Sequence, residues 1–126
     1  MIGTVTAATV TAAVGLLAAP APSVTVTAPG HTPRVKTHWA YTVHVTSAGK
    51  PVAGRLTEVI VDPVGGVHPV DLGSTTTKIA NRPITGAFSD YIIWPAASRG
   101  IPLTLRITVQ VGGTKKVIEY HVTPVA

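Results

Sequence analysis

Five histidines, five carboxylates and no cysteine bound the chemistry open to this chain of 126 residues. Without thiols there are no disulfides and no thiol catalysis, and a tetrahedral metal site would have to gather three or four scattered imidazoles and carboxylates. The residues that could supply one are His31 and His68, in loops beside prolines, and His44 and His121, at polar positions of alternating runs. None has the close spacing of a zinc motif, so the sequence is read as holding no metal and no cofactor. Acid-base work on a glycoside would need two of Glu58, Asp62, Asp71, Asp90 and Glu119, and each of these also fits a strand end, a turn or an ion pair. Ser47, Ser74, Ser89 and Ser98 lack a Gly-x-Ser-x-Gly context, and Gly65-Gly66 lacks the helix and lysine of a phosphate loop. No catalytic residue is assigned. Trp39, Tyr41, Tyr91 and Trp94 would form a sugar-stacking platform if two of them stood together on an exposed face; their default place is the core.

The elements that must carry these residues are strands. Leu103, Leu105, Ile107, Val109 and Val111 alternate with polar residues, and after Gly112-Gly113 so do Ile118, Tyr120 and Val122. A two-residue turn at the glycines puts Leu105 opposite Tyr120, Ile107 opposite Ile118 and Arg106 opposite Glu119, with one dry face. Similar alternation predicts strands over residues 23–28, 39–46, 55–61 and 69–72 and one or two strands within 84–94, with a turn at 47–51, a loop at 62–66 and a polar connection over 73–83. Within 55–61 there is a conflict: Glu58 shares a face with Leu56 and Ile60, while Val59 and Val61 take the other. Either a bulge shifts the phase or both faces are partly covered. Gly86 is expected to permit a bend or close backbone packing. Eleven prolines and twelve glycines leave no room after Pro20 for a long helix. About seven short strands without helices predict two packed antiparallel sheets, an all-β sandwich.

The first twenty-odd residues read differently. No residue from Met1 to Val24 is charged, and Leu16-Leu17-Ala18-Ala19 ends an apolar run followed by small residues, as in a signal peptide. Residues 1–22 are therefore expected to be a signal peptide or a flexible N-terminal arm, residues 23–126 the domain, and the location extracellular or in the cell envelope. Threonines dilute the run and Pro20 ends it, so no stable membrane span is expected in the mature chain. Ten Lys and Arg against five Asp and Glu give a net charge of +5, but the cations are dispersed. That distribution argues against nucleic acid, which wants a basic stripe with interleaved aromatics, and leaves contact with anionic envelope polymers open.

The turn segments Thr-Ala-Pro-Gly-His-Thr-Pro (27–33), Gly-Lys-Pro-Val-Ala-Gly (49–54), Val-Asp-Pro-Val-Gly-Gly-Val-His-Pro-Val (61–70), Trp-Pro (94–95), Ser-Arg-Gly (98–100) and Val-Thr-Pro (122–124) resemble those of small secreted immunoglobulin-like proteins of actinobacteria. The resemblance spans nearly everything after Pro22 and implies a signal peptide and an immunoglobulin-like antiparallel β-sandwich of about seven strands, with no activity attached. The expected function is a non-enzymatic binding or structural module whose partner is a protein or a second copy of the chain. Two alternatives are a carbohydrate-binding accessory module using exposed aromatics and a copper-binding sandwich using histidines, the latter requiring His31 to become the first residue. Residues 23–28, uncharged and rich in Val and Thr, lack the lysine that usually guards a sheet edge, which marks Val24, Val26 and Ala28 for edge-strand interaction.

The inward face is expected to hold Trp39, Tyr41, Val43, Val45, Leu103, Leu105, Ile107, Ile118, Tyr120 and Val122. Leu105→Ala should then cost roughly 2 to 5 kcal/mol in chemical denaturation, while Thr104→Ala is nearly silent. The opposite order would reverse the facing of the C-terminal hairpin.

Overall fold

The structure is a computed structural model that describes residues 21–126. Of the segment read as a signal peptide or arm, only Ala21 and Pro22 fall among the described residues. Nine strands follow: β1 Ser23–Thr27, β2 His38–Ser47, β3 Lys50–Pro51, β4 Ala53–Val61, β5 Val67–Pro69, β6 Arg82–Thr85, β7 Ala87–Ile93, β8 Leu103–Val111 and β9 Thr114–Val122. A single 3-10 turn, Ala96–Ser98, separates β7 from β8.

Every strand pairing is antiparallel, and the hydrogen-bonded path runs β1-β2-β7-β6-β4-β8-β9, with β3 beside β2 and β5 beside β4. Between β7 and β6 the path hangs on one pair, Thr85 with Ala87, which flank Gly86. There the sheet folds over into two layers. Among the seven strands of the path, the first, second and fifth lie together in one layer and the third, sixth and seventh in the other, with the fourth, β6, beside the third, which is the immunoglobulin-like adjacency. The chain is an all-β antiparallel sandwich.

Alternation drives the layers together. β2 turns Trp39, Tyr41, Val43 and Val45 inward, β8 turns Leu105, Ile107 and Val109, and β4 and β9 add Leu56 and Val122, all buried. Leu103, Ile118 and Tyr120 are half-buried against this core. The hairpin register is as the sequence predicts, with Leu105 opposite Tyr120, Ile107 opposite Ile118 and Arg106 opposite Glu119. Arg106 Nε donates to Glu119 Oε2 at 3.0 Å on the wet face. Gly112, at φ +57°, is the only turn glycine of the pair in the left-handed region, the pattern of a type II′ turn.

Two expectations are corrected. The short strand placed at 69–72 is found at Val67–Pro69, because Pro69 ends the pairing with Val59. The polar connection 73–83 is not all surface: Ile79 is buried, its N–H donating to the carbonyl of Val70, buried as well (2.8 Å), and its carbonyl accepting the Glu58 N–H of β4 (3.0 Å). Satisfying backbone groups at the gap between β5 and β6 on the edge of β4 is what pulls this segment in.

Gly86 lies at φ +76°, donates its N–H to the Val52 carbonyl and accepts from the Val45 N–H, and a Cβ there would stand 2.7 Å from Cβ of Pro51. Both the left-handed backbone and the close approach select glycine. Gly86→Ala should lower stability by about 1 to 3 kcal/mol in denaturant titration; an unchanged midpoint would show that the corner does not hold the two layers in place.

Candidate interaction sites

The fold brings three features together that bear on function: a buried acid, an end cleft and an open edge. The acid is Glu58. The β4–β8 register is continuous from Arg55 to Val61, so no bulge moves Glu58 off the inward face; instead Val59 and Val61 are half-covered and Glu58 is 1% exposed. The Tyr41 hydroxyl donates to Glu58 Oε1, while Oε2 has no hydrogen-bond partner among the described residues. Asp90, directly opposite Tyr41 on β7, shares that inward face. Burial, opposed by the Tyr41 hydrogen bond and assisted by the Asp90 charge, pushes the Glu58 carboxyl up to about 7. Burial beside Glu58 drives the Tyr41 hydroxyl far above its ordinary value as well. The sequence carried a signal for the inward acid, since Glu58 shares a face with Leu56 and Ile60, but none for the Tyr41 hydroxyl that meets it.

The cleft, of about 540 Å³, opens where β4 and β7 end and β8 begins. Ile60, Leu72, Ile92, Ile93, Trp94 and Leu103 supply apolar walls, and the loop from His68 to Thr75 forms one side. Gly73 fastens this loop to β7, its N–H donating to both carboxylate oxygens of Asp90 at 3.1 and 3.2 Å. At the mouth His68 Nε2 donates to Asp62 Oδ2 at 2.9 Å, and Asp62 Oδ1 accepts the N–H groups of Val64 and Gly66. The His68 hydrogen bond first, then that from Gly66, holds the Asp62 carboxyl below its ordinary range. A second hollow, about 650 Å³, lies along β4 and β6 and is lined by Arg55 and Asn81, the Arg55 guanidinium donating to the Asn81 carbonyl at 3.0 Å. The cleft walls come from segments distant in sequence, so no local pattern announces them.

The four candidate metal ligands are dispersed in role. His31 Nδ1 donates to the His121 carbonyl, and its ring stacks on Tyr120 with centroids 4.3 Å apart. His121 Nδ1 shares a hydrogen bond of 3.0 Å with Thr104 Oγ1, and His44 is exposed on β2 between Thr25 and Ala87. Together with His68 on Asp62, these four form no cluster fit for a metal ion among the described residues. Of the aromatics, Trp39, Tyr41 and Trp94 are buried, leaving half-buried Tyr91 stacked on exposed His38 at 3.9 Å.

The open edge is β1. It pairs with β2 alone, and Val24, Val26 and Ala28 turn toward the core, so the side chains it shows to solvent are Ser23, Thr25 and Thr27. Beyond Ala28 the chain crosses to the other layer: His31 and Pro33 accept from the N–H groups of Thr123 and Val125, and Val35 donates to Val125. β1 itself is left without a second backbone neighbour among the described residues.

No protein-family model matches the sequence, and no curated protein does. Among solved structures, the crystal structure of a DUF4426 family protein from Pseudomonas aeruginosa PAO1 is similar at 17% identity and a TM-score of 0.41, covering 79% of this chain and 84% of that one. A likeness this distant carries no argument about function.

The raised Glu58 carboxyl makes stability fall with rising pH. The folded state keeps a proton that the unfolded chain, ordinary at 4.5, gives up, so the contribution is full below about 4.5 and is lost as pH rises to about 7. Denaturant titrations should show a decline of up to about 3 kcal/mol across that window, and Glu58→Gln should flatten it. A wild-type profile without slope there would mean that Glu58 stays ionised in its buried site.

Proposed function

We propose that this chain is an exported, non-enzymatic binding or structural module of the cell envelope that engages a protein partner, or a second copy of itself, through β1. The observation that carries the reading is the charge-free edge. In a chain of net charge +5, the strands β1, β2 and β7 turn no Lys, Arg, Asp or Glu outward, because Asp90, the one charged residue among them, faces the core. Their outer surface is Thr25, Thr27, Thr42, His44, Ser89 and neighbours, with Thr42 and Ser89 hydrogen-bonded across strands at 2.9 Å. Two cationic molecules repel wherever their lysines and arginines meet, and the outer faces of these three strands present none, Lys50 of β3 standing at the far end of β2. The unpaired backbone of β1 lies at its margin, ready for strand addition. The resemblance of the turn segments to secreted immunoglobulin-like proteins and the apolar run in residues 1–22 support export.

Thr25 is the position to test, since it is exposed and a charge there leaves the core untouched, whereas Val26 packs inward. Thr25→Lys should weaken self-association of the full chain roughly tenfold or more in sedimentation experiments, with the β spectrum intact, because two lysines meet across the paired edges. A chain that stays monomeric at high concentration, and whose capture of envelope proteins is indifferent to Thr25→Lys, would overturn the reading.

A further inference from the structure

We propose that residues 70–79 form a lid over the buried acids of the sandwich, shut while Glu58 holds its proton and loosened when Glu58 releases it to water. The device is separate from the β1 edge and does not rest on it. Residues 70–79 close on themselves: the Ile79 N–H donates to the Val70 carbonyl at 2.8 Å, the Leu72 N–H donates to the Thr77 carbonyl at 2.7 Å, and Asp71 bridges to Lys78. The segment therefore moves as a unit. Two hydrogen-bonded attachments fasten it to the layers, the Glu58 N–H donating to the Ile79 carbonyl at 3.0 Å and the Gly73 N–H to both carboxylate oxygens of Asp90 at 3.1 and 3.2 Å. Each attachment ends on one of the two acids.

An ionised Glu58 is poorly served where it stands. It is 1% exposed, its Oε2 has no donor among the described residues, and Asp90 brings a second carboxylate to the same inward face. The surrounding elements supply no cation to it: Tyr41 of β2 donates its hydroxyl to Oε1, Tyr120 of β9 stacks on His31, Arg82 of β6 lies over Phe88, His68 of β5 is held by Asp62, and Arg55 of β4 and Lys78 of the lid are exposed. From β8 the inward residues are the apolar Leu105, Ile107 and Val109. A charge at Glu58 thus needs water. On one side β4 pairs with β8 without a break from Arg55 to Val61, whereas on the other β6 stops at Leu56 and β5 starts at Val59, and Glu58 in the gap meets the lid. This gap is the side that opens. Burial of Val70 and Ile79 keeps the lid down, so the open form is a minority state, and its opening removes the cleft wall that Val70, Leu72 and Gly73 supply.

Amide hydrogen exchange of the full chain, corrected for the base catalysis of exchange itself, reads the lid. The Glu58 carboxyl titrates at about 7 when shut in and at its ordinary 4.5 once hydrated, so the open fraction rises with pH between those values. Protection of the Glu58, Gly73 and Ile79 amides should fall roughly tenfold per pH unit across that window. These amides should exchange faster than those of the β8–β9 ladder and with little dependence on denaturant, as a local opening does. Glu58→Gln should abolish the pH slope. Tyr41→Phe, which removes the hydroxyl that favours the ionised carboxylate, should move the window to higher pH, and this shift decides the matter if Glu58→Gln does not fold. Lid amides that exchange only in step with the β8–β9 ladder, protection without a pH slope, a slope that survives Glu58→Gln, or a window that Tyr41→Phe leaves in place would each overturn the proposal. None of these outcomes bears on sedimentation of the Thr25→Lys variant, so the two readings fail separately.

Discussion

No disulfide joins the two layers of this sandwich, because the chain has no cysteine. Their cohesion rests on interlayer packing, and β2 is its centre. Four alternate residues of that one strand, Trp39, Tyr41, Val43 and Val45, are buried, and they meet Leu105, Ile107 and Val109 of β8 within one core. Trp39 is the hub of the aromatic part: Tyr41, Trp94 and Tyr120 all lie with ring centroids 5.6 or 5.7 Å from it, in tilted or edge-on arrangements. Its own indole N–H reaches the Gly30 carbonyl at 3.1 Å, so the same residue that fills the core anchors the crossing of the chain from β1 to the opposite layer. Burial of this cluster is the non-directional driving force, and the paired polar tips give it a unique arrangement.

Against that background the polar atoms left inside acquire meaning. Trp39 and Tyr41 satisfy their polar tips, one on a backbone carbonyl and one on Glu58, whereas Trp94 Nε1 and Glu58 Oε2 do not. Each unsatisfied atom works against the fold, and the two do so in different ways. Glu58 escapes by holding its proton, which converts a buried charge into a neutral acid at mildly acidic pH. Trp94 has no such escape, since an indole N–H does not titrate in this range.

Charge is sorted by layer and not by sequence. Arg55, Arg106, Lys115 and Glu119 decorate β4, β8 and β9, and the acids Asp62 and Asp71 collect at the cleft, while the outer face of β1, β2 and β7 is bare of charge. The lysines beside the β9 turn guard that edge in the usual way, whereas among the described residues β1, five residues long, has no such guard.

Strand identity and facing were legible in the residues alone, because a period of two admits only two phases and burial chooses between them. Thus the register of β8 and β9 follows from Leu105, Ile107, Tyr120 and the paired glycines, and the inward set of β2 from Trp39 to Val45. The conflict at Glu58 was visible as a conflict, but its resolution was not, since the Tyr41 hydroxyl that stabilises it comes from the other layer. Ile79, in a stretch that reads as a polar connection, is buried only because a gap on the edge of β4 needs backbone partners. The cleft depends on residues from Ile60 to Leu103 converging at one end of the sandwich, and the bare edge of β1 on where the chain crosses after Ala28. Local alternation determines which way a side chain points along its own strand; what it points at is decided by pairings between segments far apart in the chain, and these exist only once the two layers have closed.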